Sequence, residues 1–475
     1  MGMGNEGIQE HLAELKNRAE AALKEVEKAI SAPETIKNVV DLQRIEETNR
    51  KTCLLLADLM SAIVVQTSQD ADEVKDEVNQ VIKSHPLKLE NQGIRDVTIT
   101  FLGGNDIVIK TSYYTRKKKK GVLKQKKKGE TFYPGLLILG IYNKFSPSLA
   151  GLVSMLVTAA SSLAEAQKIL ESFGVKETVD RLRDVFKLFG QRARLAAKAE
   201  SAVSYGSVKG LRVVISTDGG RIRIRQNKRG PKTAKGRKRY STAWREPKLI
   251  LIYTVDESGK KSSCFAPIID GTLKQPDSVF SMAKSYMAKL NICSADKILF
   301  VADGARWIWN RVSQLMESLG IRTHQYYEAL DFYHAVEHLG IVAKTCMNIN
   351  RKEQKQWIKK QRRLLWDGKV GEVLSSIKEM CRGSKSKILR REREYFQRNR
   401  HRMAYDKIRE EGLPIGSGAM ESAVRRVVNL RMKGAGIFWL RQTAEELLFL
   451  RSYYKAGRWN ILKQLTFSRE ALLAV

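Results

Sequence analysis

Three acidic residues stand at positions where proteins commonly place the ligands of metal ions. Asp218 ends the apolar run Leu211–Thr217, and Asp303 ends the apolar run Lys297–Ala302. Each run predicts a short buried strand, and the carboxyl ends of such strands are where α/β sheets usually hold their chemistry. One strand-end aspartate can simply cap the helix that follows it. With Glu421 in a predicted C-terminal helix, however, three carboxylates on separate elements could converge on metal ions.

The chain is strongly basic. Its 475 residues include 85 Lys and Arg against 51 Asp and Glu, a formal charge of +34. Such an excess is costly self-repulsion unless the partner is a polyanion, so we expect the chain to bind nucleic acid. No apolar run reaches the roughly 18 residues of a membrane span, and no charged-then-apolar segment opens the chain. The sequence therefore predicts neither a membrane partner nor export.

Cysteine usage points to a reducing compartment. The chain has five scattered cysteines without close pairs: Cys53, Cys264, Cys293, Cys346 and Cys381. An odd, dispersed set is typical of reduced core thiols in a cytoplasmic protein and favours neither disulfides nor a zinc ribbon.

Before residue 206 the patterns predict helices around one β-hairpin. Helical periodicity over residues 6–69, interrupted at Pro33, predicts a helical hairpin for packing or self-association. Val97–Phe101 and Ile107–Tyr114 have a period of two and predict the strands of a β-hairpin. Residues 147–205 are again helical, with a glycine turn that fits either a helix-turn-helix or ordinary helix packing.

From residue 206 to 346 the patterns predict a mixed α/β core. Three strands are followed by a helix, a strand ending at Asp303, a helix and a last strand, an order that resembles the ribonuclease H-like fold. The 118 residues between Asp303 and Glu421 (421 − 303) are too many for a bare core and predict an insertion. We therefore expect an α/β fold in which a ribonuclease H-like mixed sheet is interrupted by an all-α insertion. The predicted strands are 211–217, 221–226, 248–255, 297–302 and 324–329.

Four segments in order carry a resemblance to a known family. They are Ser216–Gly220, Val301–Asn310, Leu330–Leu339, and Pro414–Ser422 followed by Gly436–Trp439. In these segments the chain resembles bacterial insertion-sequence transposases of the DDE type, in the Kra-type group related to Mutator-like elements. The resemblance implies a DNA transposase that binds the ends of its element and catalyses Mg²⁺-dependent strand cleavage and strand transfer.

The resemblance also implies the catalytic residues and their cofactor. Asp218, Asp303 and Glu421 would be the ligands of two Mg²⁺ ions, with Mn²⁺ as a substitute, and two-metal sites of this kind break phosphodiester bonds. His334 is a further catalytic candidate that could orient water or the phosphate, unless Asp331 merely fixes it in the core. The implied partners are double-stranded DNA, as terminal inverted repeats and target, and at least one more copy of the chain. The implied location is the cytoplasm, at the nucleoid.

Basic segments supply candidate contacts to DNA. The lysine-rich run 116–128, the loop 227–239 and the helical segment 349–411 are all strongly basic. Runs of like charge are often merely solvated, but the charge of the whole chain favours contacts to the phosphate backbone. Candidate DNA-binding residues are Lys117, Lys118, Lys119, Lys120, Lys126, Lys127, Lys128, Lys228, Arg229, Arg237, Lys238, Arg239, Trp366, Arg425 and Trp439.

Several alternatives stay open from sequence alone. The tryptophan that stacks on an unpaired base could be Trp357, Trp366 or Trp439. A domesticated DNA-binding protein would keep the fold without catalysis. A zinc metalloprotease is the third class, because His334-Ala-Val-Glu337-His338 matches H-x-x-E-H.

The same patterns predict five regions. They are a helical region (1–92), a DNA-binding region with the hairpin, basic loop and helix-turn-helix-like helices (93–205), the first part of the catalytic core (206–348), the helical insertion (349–411), and a catalytic helix with its tail (412–475).

Overall fold

The computed structural model describes residues 3–116, 131–198, 203–234, 236, 238–346, 350–469 and 471. The chain divides into two compact units. The first unit comprises Met1–Ser201 with Asn460–Val475, and the second unit comprises Ala202–Trp459. The predicted α/β class is confirmed, since helices and a mixed five-stranded sheet are both present.

The first unit begins with the two predicted long helices. They are α1 (Met3–Ser31) and α2 (Val39–Ser68), which pack against each other on either side of the break at Pro33. By length and composition alone, α2 is long and apolar enough to cross a membrane. Polar residues interrupt its apolar run, so the sequence did not mark this helix as a membrane span. Core helices pass the same test, and α2 buries Leu59 and Ala62 in this unit.

The predicted β-hairpin is confirmed. After α3 (Asp72–Ser84), the antiparallel strands β1 (Leu89–Thr100) and β2 (Asp106–Arg116) pair with Val97 opposite Ile109. Asp58 of α2 accepts hydrogen bonds from the turn, including one from the backbone N–H of Gly103 at 2.9 Å.

Helices fill the rest of the first unit. They are α4 (Pro134–Ile138), α5 (Pro147–Ala159), α6 (Leu163–Ser172) and α7 (Val179–Lys198). Gly174, at φ +91°, lies in the turn between α6 and α7, a backbone conformation that glycine adopts readily. The predicted order of helix, glycine turn and helix is therefore confirmed. That α7 binds in the major groove of DNA, as the second helix of a helix-turn-helix does, stays a prediction.

The second unit is built on the five-stranded sheet. Its order is β7-β6-β3-β8-β9, with β6 antiparallel to β3 and β7, and with β8 parallel to β3 and β9. The strands of the unit are β3 (Arg212–Gly219), β4 (Ile222–Asn227), β5 (Tyr240–Arg245), β6 (Lys248–Val255), β7 (Ile268–Thr272), β8 (Lys297–Ala302) and β9 (Tyr326–Leu330).

One predicted strand is absent from this sheet. The run 221–226 was expected as its second strand, but β4 pairs instead with β5 in a separate two-stranded hairpin. The alternation of arginine and isoleucine explains the difference, because central strands that are covered on both faces are apolar throughout. The third strand of the sheet is β7, which the sequence patterns did not reveal.

The helices of the second unit include the predicted insertion. Four helices, α11 to α14, lie between α10 and α15, which confirms an all-α segment at this place in the chain. A π-helical turn, Arg425–Asn429, continues α15. The helices are α8 (Pro276–Lys289), α9 (Arg306–Glu317), α10 (Phe332–Cys346), α11 (Arg351–Trp366), α12 (Val370–Met380), α13 (Lys387–Asn399), α14 (Tyr405–Glu410), α15 (Gly418–Val424), α16 (Leu430–Met432) and α17 (Arg441–Lys455), before α18 (Trp459–Thr466).

The cysteines do not lie in the core, contrary to the expectation from sequence. Cys53, Cys264 and Cys293 are exposed, and Cys346 and Cys381 are partly exposed. All five are free thiols. Scattered spacing shows only that close pairs are absent and carries no information about burial.

Candidate active site

The two strand-end aspartates occupy equivalent positions on neighbouring strands. Parallel pairing sets Arg212 opposite Lys297 and Ile215 opposite Phe300, an offset of 85 residues. The same offset separates Asp218 from Asp303 (303 − 218). Neighbouring strands lie about 4.8 Å apart and side chains alternate between faces, so equivalent residues point the same way. The sheet therefore brings these two carboxyl groups side by side.

The two carboxyl groups are electrostatically coupled. Burial raises the pKa of Asp218 to about 6, and the charge of Asp303 adds to the rise. Burial also raises the pKa of Asp303. Each accepts one local backbone hydrogen bond, from Gly219 at 2.6 Å and from Ala305 at 3.0 Å. Within the described part of the chain, neither forms an ion pair with Lys or Arg.

A third acid, Asp331, fixes His334 beside them. Asp331 is fully buried and accepts hydrogen bonds from the backbone N–H groups of His334 (2.9 Å) and Ser417 (2.6 Å) and from the Ser417 hydroxyl. Burial favours its neutral form, but the His334 imidazole and these hydrogen bonds together outweigh that effect and lower the pKa of Asp331 to about 2. Its carboxylate, 3.4 Å from Nδ1, raises the pKa of His334 to about 9. At neutral pH His334 is therefore a cation.

Ser417 directly precedes α15, the position of an N-cap, and serine is a favoured N-cap residue. Its side chain nevertheless does not cap that helix. Its hydroxyl binds Asp331 instead, because the segment before α15 lies against the start of α10, where Ile415 accepts the N–H of Phe332 at 3.0 Å.

Glu421 lies next to this pair. The potential ligand atoms of Asp331, His334 and Glu421 all lie within 4.8 Å of one another. Helix α15, which carries Glu421, packs against β3 and β6. Glu421 forms no ion pair with the exposed Arg425, although both residues are described and one helical turn apart. An isolated Glu–Arg pair on a solvated helix therefore does not account for Glu421.

His334 connects the two halves of the site. Its positive charge lowers the pKa values of both Asp218 and Asp303, so it lies near both. The structure thus places His334 near Asp218 and Asp303, at the carboxyl ends of β3 and β8, and Glu421 next to His334. The group whose ligand atoms all lie within 4.8 Å of one another is Asp331, His334 and Glu421, and it does not include Asp218 or Asp303.

Known proteins do not identify the chain. No family model, no curated protein and no solved structure matches it.

A further acid, Glu246, belongs to the same region and was missed in the sequence. A Cβ on Gly219 would lie 2.3 Å from Glu246 Oε1, so the carboxylate rests against that glycine. Its charge raises the pKa values of Asp218 and Asp303, and Lys248 pairs with it at 3.2 Å. Glu246 lies in a loop, where no hydrophobic periodicity marks functional residues. The only hint in the sequence was Gly219, directly after Asp218, because a glycine there leaves room for a neighbouring side chain.

The insertion closes over the turn after β8. A Cβ on Gly304 would lie 2.1 Å from the ring of Tyr395, which is on α13. Arg398 of the same helix donates to the Gly304 carbonyl at 3.3 Å. Beside this contact is a cavity of about 620 Å³. Its lining includes four basic side chains and one acid: Arg306, Lys378, Arg393, Arg398 and Glu394.

The candidate tryptophans differ in their surroundings. Trp357 donates to Ser376 and is half-buried. Trp439, also half-buried, donates to the Met432 carbonyl at 3.0 Å. Trp366 is 41% exposed but stacks under Arg409, whose guanidinium carbon is 4.1 Å from the ring centre. Of these three, Trp366 presents the most surface to a ligand.

The basic candidates fall into two groups. Lys228, Arg229, Lys238 and Arg239 are exposed in the loop that joins β4 and β5. Arg425, which follows α15, is exposed as well. The remaining basic candidates lie outside the described residues: Lys117, Lys118, Lys119, Lys120, Lys126, Lys127, Lys128 and Arg237.

The arrangement around His338 does not favour a zinc site. Its Nδ1 pairs with the buried Glu392, and its ring stacks on Tyr395 with centroids 3.7 Å apart. His338 is not part of the group formed by Asp331, His334 and Glu421.

Proposed function

We propose that this chain is a DNA transposase of the DDE type with a ribonuclease H-like core. The observation that carries the proposal is the convergence of Asp218 and Asp303, at equal register on adjacent parallel strands, with Glu421 beside His334. Three antiparallel strands followed by two parallel ones, with the first strand central, support the assignment of the core. The basic cavity and a charge of +34 agree with a DNA substrate.

The donor set fits a hard divalent cation. Asp218 and Asp303 lie partly buried without a basic ion-pair partner among the described residues. Burial first, and then the charges of neighbouring acids, raise the pKa values of both groups, so a bound cation would stabilise their ionised forms. Oxygen ligands of this kind suit Mg²⁺ and Mn²⁺. His334 is protonated at neutral pH, and an imidazolium has no free lone pair. We propose Asp218, Asp303 and Glu421 as the ligands, since the carboxylate of Asp331 is already occupied by Ser417 and His334.

Protein groups around the metal ligands have separate roles. Two Mg²⁺ ions, when bound, would activate the attacking oxygen and stabilise the leaving oxygen of a phosphodiester. Asp331, itself held by Ser417, keeps His334 near Asp218 and Asp303, where its positive charge would attract a phosphate bound at the site. The arginines of the basic cavity would bind the DNA backbone on the side of the insertion. Double-stranded DNA and a second copy of the chain are the proposed partners.

Incubation with DNA from the ends of its own element tests the proposal. In Mg²⁺ the protein should cleave at the element ends, as mapped strand by strand on a gel. Glu421→Gln keeps the size of the side chain and removes its charge, so it should fold and bind DNA normally. Its cleavage should fall at least about 100-fold.

The control is Glu410→Gln, which removes an equally exposed carboxylate on α14 and should cleave like the parent. Normal cleavage by folded Glu421→Gln protein would end the metal-ligand role. If the parent protein binds these ends but never cuts them, the chain is a non-catalytic DNA-binding protein. Bound zinc with peptidase activity would favour the metalloprotease.

A further inference from the structure

The hairpin formed by β4 and β5 carries arginines and aromatic rings on one face. Side chains alternate along each strand, and Arg223 pairs directly with Trp244. We call this surface the hairpin face. It consists of Arg221, Arg223, Arg225, Tyr240, Trp244 and Phe438.

Cations and rings are interleaved on the hairpin face. The guanidinium carbons of Arg221 and Arg223 lie 5.5 and 5.7 Å from the ring centre of Trp244. Arg225 lies 4.4 Å from the ring centre of Tyr240. Such cation–π contacts keep the arginines next to the rings.

The rings are unusually open to solvent. Trp244 is 49% exposed, Tyr240 41% and Phe438 36%, and Trp244 is the most exposed tryptophan among those the structure describes. The opposite face of the hairpin is buried through Ile222 and Ile224. The exposure of the rings is therefore not due to a loose hairpin.

A third segment fixes the hairpin in place. The N–H of Trp439 donates to the Arg223 carbonyl at 3.0 Å, and the N–H of Arg225 donates to the Trp439 carbonyl at 2.8 Å. The buried Nε atoms of Arg223 and Arg225 have no hydrogen-bond partner. Since Arg221, Arg223 and Arg225 form no ion pair with an acid in the described ranges, the surface lacks counter-charge.

These properties fit one class of ligand. Fixed arginines without acidic partners fit phosphate, and exposed aromatic rings between them fit the faces of unpaired bases. In a duplex those base faces are covered by stacking, so only a single strand can use the rings. Only Gly219 and Gly220 separate Asp218 from Arg221, a reach of about 10 Å.

We propose that the hairpin face binds unpaired nucleotides of a DNA strand next to the carboxylate site. The location of that strand beside a cleaved bond rests on the proposed function, but the binding does not require cleavage. Trp244 is the principal stacking residue, and Arg221 and Arg223 hold the flanking phosphates.

Equilibrium binding to short oligonucleotides tests the proposal. Trp244→Ala should weaken binding of a labelled oligothymidylate about tenfold, as loss of one stacked base does. Trp244→Phe keeps a ring and should bind within about threefold of the parent. A duplex of equal length should bind the parent and Trp244→Ala equally well. The matched control is Phe173→Ala, which removes a 52% exposed ring stacked on Arg50 in the first unit.

Tryptophan fluorescence supplies a second measurement, which does not depend on Trp244→Ala being folded because it compares the parent with Trp244→Phe. The oligonucleotide should quench the parent protein, and Trp244→Phe should bind with that quenching greatly reduced. Unchanged single-strand affinity in a folded Trp244→Ala protein would overturn the proposal. Equal losses for single strand and duplex would also overturn it, because they would indicate a phosphate contact alone.

Failure of the two proposals can be told apart. The Trp244 effect should persist in a Glu421→Gln background, where cleavage is not measured. If it persists while the parent protein never cleaves DNA, the transposase proposal fails and the hairpin face stands. If cleavage is normal and the Trp244 effect is absent, the hairpin face fails alone.

Discussion

Asp331 sets the charge of His334, and this pairing has a measurable dependence on pH. The pKa of Asp331 is lowered to about 2 from an ordinary 3.8, and that of His334 is raised to about 9 from 6.5. The attraction between the two side chains contributes to both shifts and is counted once, and the hydrogen bonds from Ser417 add to the shift of Asp331. Its contribution to stability is complete between about pH 3.8 and 6.5. It is lost as pH rises through about 9, where folded His334 deprotonates, and as pH falls through about 2, where folded Asp331 is protonated.

We therefore expect the free energy of unfolding of the parent protein to fall relative to that of His334→Gln between about pH 6.5 and 9. The change should be about 1–2 kcal/mol, since the His334 side chain is 34% exposed and solvent weakens the attraction. Urea unfolding at a series of pH values measures it. Parallel curves for parent and variant across this range would show that the pair contributes nothing to stability.

At the scale of the elements, contact between the insertion and the turn after β8 depends on Gly304. Tyr395 is buried, and a Cβ at residue 304 would lie 2.1 Å from its ring. A buried ring cannot swing into solvent, so a side chain here must push α13 away. Gly304 is thus part of what positions Arg398 and the basic cavity beside Asp303.

Gly304→Ala should lower the free energy of unfolding by about 1–3 kcal/mol, the usual cost of overpacking. Gly340→Ala is the matched control, because nothing lies within 4 Å of the added Cβ in α10. Alanine is the better helix former, so the control should be about 0.5–1 kcal/mol more stable than the parent. Urea unfolding distinguishes the two, and equal effects of both changes would contradict close packing at Gly304.

At the scale of the whole molecule, the excess of basic residues sets the expected salt dependence. Each contact to a phosphate of duplex DNA contributes about 0.9 to the slope of log affinity against log salt. The seven lysines Lys117–Lys120 and Lys126–Lys128 lie in one run. Replacing all seven with glutamine should weaken binding to every DNA sequence and flatten the slope by up to about six.

The control removes the same charge from elsewhere. It replaces seven exposed lysines of the first unit with glutamine: Lys16, Lys24, Lys28, Lys37, Lys51, Lys75 and Lys83. Binding titrations at 50–300 mM salt compare the two proteins. If both flatten the slope equally, the effect comes from net charge, and the lysine run is not a DNA contact.

Local patterns in the sequence were sufficient for the elements that carry the candidate site. The apolar runs before Asp218 and Asp303 are strands. Because these strands pair in parallel, Asp218 and Asp303 occupy equivalent positions at their ends. The β-hairpin and the all-α insertion were also predictable, because periodicity is a property of adjacent residues. The basic alternation of β4 was visible too, but its consequence was misread: a strand with one charged face was assigned to a sheet covered on both sides.

Only the tertiary structure decided what these elements hold together. It put the hydroxyl of Ser417 on Asp331, the carboxylate of Glu246 against Gly219, and Glu421 beside His334. It also supplied β7 as the third strand and left Trp244 as the most exposed tryptophan among the described residues. Each of these contacts joins residues far apart in the chain. Local periodicity reports which face of an element is buried, whereas the partner across that face depends on how the whole sheet and its insertion pack.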